Sequence, residues 1–155
     1  MSTAGSESAA VGRRPESVLV IIHTPDLDCL LLERVAPSGF WQSVTGSLRW
    51  HEAAADAARR EVIEETGIQT GSLSDTGTVR RFPILPAWRD RYAPGVVENT
   101  EYAWQLCVPQ RLPVVLNALE HRQYEWLPAA EAVAKVASWT NREALEALAM
   151  SGPKP

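Results

Sequence analysis

The sequence predicts a domain of the α/β (α+β) class. Three observations carry that expectation. Residues 17–24 (SVLVIIHT) and 29–35 (CLLLERV) are β-branched or apolar runs of strand length. Residues 52–66 are alanine-rich, with the propensity of a helix, and Gly67 follows as its C′ residue. Near the end, Thr140-Asn141-Arg142-Glu143 reads as a capping box that opens a last helix.

Taken in order, residues 1–12 are small and polar, and the expectation is a disordered tail. The folded domain is expected over 13–150, with residues 151–155 (SGPKP) fraying. The first two strands, joined at Pro25-Asp26-Leu27-Asp28, should form a hairpin. A short strand, 40–44, runs into Thr45-Gly46 and then the helix. Residues 74–85 read as a strand whose Pro83 marks an edge, a bulge or its end. Residues 86–98 form a loop rich in Arg, Trp and Tyr, long enough to be functional. A strand at 99–108 follows, then a brief pairing at 114–116 and a short strand at 123–127. Residues 128–137 begin a helix with Pro128 in its first turn.

With 155 residues, 45% hydrophobic and 22% charged, the chain suits one soluble domain with a real core. A formal net charge of −4 gives no support for nucleic-acid binding, which calls for a basic stripe. No apolar run is long enough for a membrane helix, and the first residues lack a signal-peptide core. The expectation is a cytoplasmic protein, with Cys29 and Cys107 as free thiols. Monomer and homodimer both remain open.

The chemistry concentrates in residues 46–68. Glu61, Glu64 and Glu65 fall at about 0°, 300° and 40° around a helix, an arc of roughly 100°. Like charges so placed repel one another and call for a counter-charge. A hard divalent cation with oxygen ligands supplies it, Mg²⁺ first among them. Arg60 lies between Glu52 and Glu61, and a charge-assisted pair with Glu52 would tie loop to helix.

The same stretch matches G-x5-E-x7-R-E-U-x-E-E-x-G-U, where U is bulky and aliphatic, without a mismatch. Gly46, Glu52, Arg60, Glu61, Glu64, Glu65 and Gly67 fill the fixed positions, and Val62 and Ile68 the aliphatic ones. It resembles the signature of the Nudix hydrolases. The match departs from the commonest form at Arg49-Trp50-His51, where His51 stands in place of a frequent Gly. Flanking segments, FWQSVTGS (40–47), RYAPG (91–95), NTE (99–101) and the stretches around Glu120 and Ser138, resemble the bacterial branch acting on dihydroneopterin triphosphate, also described as acting on dATP.

The resemblance implies a Nudix-type α/β/α sandwich with a mixed β-sheet. It implies Mg²⁺ held by Glu61, Glu65 and Glu120, with Glu64 close by. Glu61, Glu64 and Glu120 are the candidates for the catalytic base. Arg13, Arg34, Thr45 and Ser138 match positions near substrate, and Phe82, Pro83, Ile84 and Leu85 would line its pocket. The implied substrate is a small-molecule triphosphate, cleaved by water to a monophosphate and pyrophosphate, a step of folate biosynthesis. Two alternatives stand beside it: a general or sanitising (d)NTP pyrophosphohydrolase, and a non-catalytic ligand sensor of the same fold. Among the aromatics, Trp88 and Tyr92 are the candidates for stacking, while Trp41, Trp104, Trp126 and Trp139 are expected in packing.

Overall fold

A computed structural model describes residues 12–152. The expected tail and frayed end therefore lie mostly outside the described residues. Of their inner edges, Gly12 forms an isolated bridge to Tyr92, and Ser151 ends the last helix.

The sheet is mixed. Its strands are β1 (Glu16–His23), β2 (Asp28–Arg34), β3 (Trp41–Gln42), β4 (Val44–Ser47), β5 (Ser72–Pro83), β6 (Glu98–Cys107) and β7 (His121–Pro128). The main path runs β3-β2-β1-β6-β5, with β4 beside β1 and β7 beside β2. Only the β1–β6 pair is parallel, in register from Glu16↔Thr100 to His23↔Cys107.

The unbroken apolar run of β1 explains its place. A strand without polar alternation must be covered on both faces. Val18, Val20 and Ile22, with Leu30 and Leu32 of β2, pack beneath helix α1 (Ala54–Thr66) through Ala57, Ala58 and Val62. Leu19 and Ile21, with Cys29 and Leu31, pack beneath α2 (Ala129–Lys135) and α3 (Trp139–Ser151). Burying each such Leu or Ile contributes roughly 1.5–3 kcal/mol. Two cores, one on each face of one sheet, make the α/β/α sandwich.

The expected hairpin holds only at its turn. β1 and β2 pair at His23↔Cys29, then separate. β1 takes β4 as its neighbour from Ser17↔Ser47 to Val20↔Val44, and β2 takes β7 from Asp28↔Pro128 to Arg34↔His121. Composition marks a strand but does not choose its partner. The two arms splay, and their open ends carry Thr45 on one side and Arg34 and His121 on the other. All three line the cleft described below.

Other elements differ in detail. Residues 114–116 form no strand; Val115 N–H instead donates to Thr66 O at 2.9 Å, closing the end of α1. The 86–98 loop contains a 3-10 helix, Pro86–Arg91. Pro128 caps α2 rather than entering its first turn. The last helix starts at Trp139 with Ser138 as its cap, accepting from Asn141 N–H at 3.1 Å. The box at Thr140 is displaced because Asn141 is committed elsewhere. Its side chain accepts from Ser43 N–H at 2.8 Å and donates to Ser43 Oγ at 3.0 Å, bolting α3 to the strand before β4. Cys29 and Cys107 are free thiols. Among the described residues no helix is long and apolar enough to cross a membrane.

Candidate active site

A cleft of about 1380 Å³ opens where β1 and β2 part. One wall is the loop and helix of the 46–68 stretch. His51 makes the loop possible in an unexpected way: it adopts φ 70°, the left-handed conformation that Gly would take there. Below it, Glu52 accepts from Arg49 N–H at 2.9 Å. Arg14 reaches across from the chain start and donates to the carbonyls of Arg49 and Glu52, both at 2.9 Å. Trp50 Nε1 donates to Gly12 O at 2.7 Å.

Arg60 braces loop to helix, as the spacing suggested. It donates from Nε and Nη2 to Glu52, both at 2.8 Å, a bidentate pair. It also reaches Ser47 O at 3.0 Å and Glu61 Oε1 at 2.7 Å. The Arg60 guanidinium holds the Glu52 carboxyl down to about 2, against the opposing effect of burial.

Glu61 and Glu65, one helical turn apart, point into the cleft. Glu65 is 2% exposed. Burial raises the pKa of both carboxyls. Glu65 is raised further by its hydrogen bond to Glu61 and by the charges of Glu61 and Glu120; the Thr45 backbone N–H works the other way. Glu65 Oε1 has no hydrogen-bond partner. Gly46 lets this crowding exist, since a Cβ there would meet Glu61 Oε2 at 2.0 Å. Glu120, exposed, lies on the same cleft just before β7.

Glu64 departs from the expectation. Its side chain is 46% exposed, it does not line the cleft, and it sits in loose contact with Arg60 and Arg49. Its place about 60° round the helix from Glu61 puts it past the rim. Among the described residues, no three His, Cys, Asp or Glu side chains close on one point. The donor set still fits a divalent cation. Two buried carboxyls share one hydrogen bond, one of their oxygens is orphaned, and a third carboxyl is within electrostatic range.

His121 is buried beside this cluster, with Nε2 3.9 Å from Glu65 Oε1. Burial, aided by Arg34, lowers its pKa to about 4. The ring is therefore neutral at neutral pH, and the contact is not an ion pair. Gln42 Nε2 donates to His121 Nε2 at 3.0 Å, which leaves the ring proton on Nδ1. This packing holds the ring between Gln42 and Glu65, next in the chain to Glu120.

The remaining candidates gather on the cleft. Arg13 is tied to the 86–98 loop by its N–H to Arg91 O, 2.8 Å. Arg34 donates to Ala36 O and lies 5.8 Å and 5.9 Å from the ring centres of Phe40 and Trp88. Thr45 donates its hydroxyl to Val18 O, so its side chain is half spent on the fold. Phe82, Pro83, Ile84 and Leu85 line the far side, with Ile84 buried and Leu85 exposed. Ser138, Trp88 and Tyr92 line it too. Trp139 does not pack in the core: it is 47% exposed and faces the cleft.

The sequence reading assigned no role to Asn99 or Glu101, which also line the cleft. The signal was there in the alternation of β6: Asn99, Glu101 and Ala103 fall on one buried face, and two of the three are polar.

Fold and site together define a Nudix hydrolase, and a model of the NUDIX domain matches residues 13–148. The chain belongs to that family, whose members generally use divalent metal ions. It is 43% identical over 141 residues to the dihydroneopterin triphosphate diphosphatase of Escherichia coli (strain K12), a match covering 88% of this chain and 93% of that one. It is 35% identical over 138 residues to the Haemophilus influenzae protein of the same name, covering 84% and 85%. The structure of the E. coli dihydroneopterin triphosphate pyrophosphohydrolase superposes with a TM-score of 0.83 at 41% identity, over 92% of this chain and 99% of that one.

Proposed function

We propose that this protein is a Mg²⁺-dependent pyrophosphohydrolase that cleaves dihydroneopterin triphosphate to the monophosphate and pyrophosphate. The observation that carries the reaction type is the Glu61–Glu65 pair, crowded and buried under Gly46 with one oxygen unpartnered. The substrate class is supported by the similarity to enzymes that bear its name over most of both chains.

In this reading Glu61, Glu65 and Glu120 hold the metal. Bound Mg²⁺ supplies charge neutralisation of phosphate oxygens and an acidified water. Everything else is positioning. Glu61 and Glu65 are both fixed on α1, Glu61 also by Arg60, so their placement costs little reorganisation when substrate arrives. Arg13 and Arg34 bind phosphate oxygens, Arg34 held in place between Phe40 and Trp88. Glu120 takes the proton of the attacking water, because it is exposed and not tied into the Arg60 network. Thr45 and Ser138 border the triphosphate. Phe82, Pro83, Ile84 and Leu85 line the ring pocket, with Trp88 and Tyr92 available for stacking. The partner is a small molecule, not nucleic acid, and the protein acts as a monomer or homodimer. Its two free thiols fit a reducing compartment, and we place it in the cytoplasm.

The test is kcat/KM on dihydroneopterin triphosphate against dATP and a (d)NTP panel with saturating Mg²⁺. The reading expects the pterin substrate to lead. Higher values for a nucleotide would favour a general pyrophosphohydrolase, and no turnover of any would favour a ligand sensor.

A further inference from the structure

The β6 residues Asn99 and Glu101 are polar groups in a position that the strand's alternation reserves for the core. They are 4% and 5% exposed, and both line the cleft. Their pairing is half complete. Asn99 Nδ2 donates to Ser17 Oγ at 2.8 Å, but Asn99 Oδ1 has no partner among the described residues. Glu101 Oε1 has none either. Burial raises the Glu101 pKa, with the Thr140 hydroxyl and the Arg80 guanidinium acting the other way. Arg80 Nη1, opposite Glu101 in register, is likewise buried without a partner among the described residues. Native proteins rarely leave buried acceptors without donors, and two on one face of β6 call for a ligand that brings donors.

Register places them. Glu101 stands between Ser17 on β1 and Arg80 on β5, and Asn99 stands opposite Phe82. Asn99 therefore adjoins the start of the 82–85 segment, assigned above to the ring, and Glu101 lies two residues further along the same face of β6. We propose that Glu101 Oε1 and Asn99 Oδ1 read the heterocycle, accepting hydrogen bonds from the N–H edge of a 2-amino-4-oxopyrimidine ring. That edge presents a ring N–H beside an exocyclic amino group, two donors for the two acceptors on this face of β6. Dihydropterins and guanine share it. Adenine presents one donor beside a bare ring nitrogen, whose lone pair would face a carboxylate oxygen. The proposal rests on the pterin reading of the site above. It absorbs the Asn99-Thr100-Glu101 segment, which the reaction mechanism leaves without a part.

Equilibrium binding separates the two claims, because nucleoside monophosphates need not be hydrolysed. Titrations of dGMP, dIMP and dAMP into the Mg²⁺-loaded protein are compared with titrations into Glu101→Gln. dGMP and dIMP differ only in the 2-amino group. The expected result is dGMP tighter than dIMP by roughly tenfold to a hundredfold, the range for a hydrogen bond to a charged group. Glu101→Gln should shrink that ratio below threefold and bind dAMP more tightly, because the carboxylate facing the bare ring nitrogen is gone. Equal dGMP and dIMP affinities in the unaltered protein would overturn the proposal, and that comparison needs no variant to fold. A uniform loss across all three ligands in Glu101→Gln would also overturn it. Failure to hydrolyse dihydroneopterin triphosphate would remove the proposed activity while leaving the dGMP-to-dIMP ratio to decide this inference.

Discussion

Gly46 and Glu61 are in such close contact that a methyl group on the glycine would lie 2.0 Å from Glu61 Oε2. The glycine of the box is thus a steric requirement of the carboxylate, not of a turn. Gly46→Ala must push the Glu61 side chain aside. A displacement on the order of 1 Å near the chemistry costs ~100-fold in rate. Steady-state kinetics should show at least that loss in kcat, while the unfolding midpoint changes little; wild-type kcat would contradict the contact.

Glu65→Gln removes a carboxyl that is buried against Glu61 and feels Glu120. Two effects of opposite sign are expected. Activity falls by several orders of magnitude, because a charged ligand of the proposed metal site is lost. The metal-free protein becomes more stable, because a buried like-charge contact is relieved. Thermal melts with and without Mg²⁺ check both: the native chain should gain Tm with Mg²⁺, and that gain should vanish in the variant.

The box was legible because its residues sit at fixed helical and loop offsets, and the Arg60–Glu52 brace could be read from spacing alone. Strand composition gave β1, β2, β5 and β6 within a few residues. Partnering was not legible, since the backbone edge of β1 is satisfied as well by β4 as by β2. The start of α3 was misread because two hydroxyl residues two positions apart, Ser138 and Thr140, both suit a cap. What decided between them was a distant bond, Asn141 to Ser43. Glu64 lies at the edge of the same acidic arc, about 60° from Glu61 and about 100° from Glu65, and that offset sets it outside the cleft. Asn99 and Glu101 stood out only as part of the NTE segment; a role for them becomes visible when β6 is seen to be buried on that face.

The Glu52–Arg60 pair predicts an acid-sensitive contribution to stability. The folded carboxyl is held at about 2, below its unfolded value of roughly 4.3. Its stabilisation is therefore complete above the unfolded value and is lost as the pH falls through the folded one. Urea midpoints of the native chain and Glu52→Gln should differ most at about pH 6, draw together below about pH 4 and converge only as the pH approaches about 2. A gap that stays constant with pH would show that the pair contributes through shape, not charge.

His51 occupies φ 70°, a conformation that a β-branched side chain tolerates poorly. His51→Gly should therefore keep both fold and activity, within about twofold in kcat/KM. His51→Val should destabilise by about 1–2 kcal/mol and loosen the loop that carries Glu52. Denaturant melts of the pair measure the difference, and equal stability of the two variants would argue against left-handed strain at this residue.

The central claim is that water attacks a pterin triphosphate so as to expel pyrophosphate. Turnover of dihydroneopterin triphosphate in ¹⁸O-labelled water, with mass analysis of both products, tests it directly. The account predicts pyrophosphate without label and one ¹⁸O in the monophosphate, the outcome of attack at the α-phosphorus. Orthophosphate as the product, or label carried by the pyrophosphate, would contradict it.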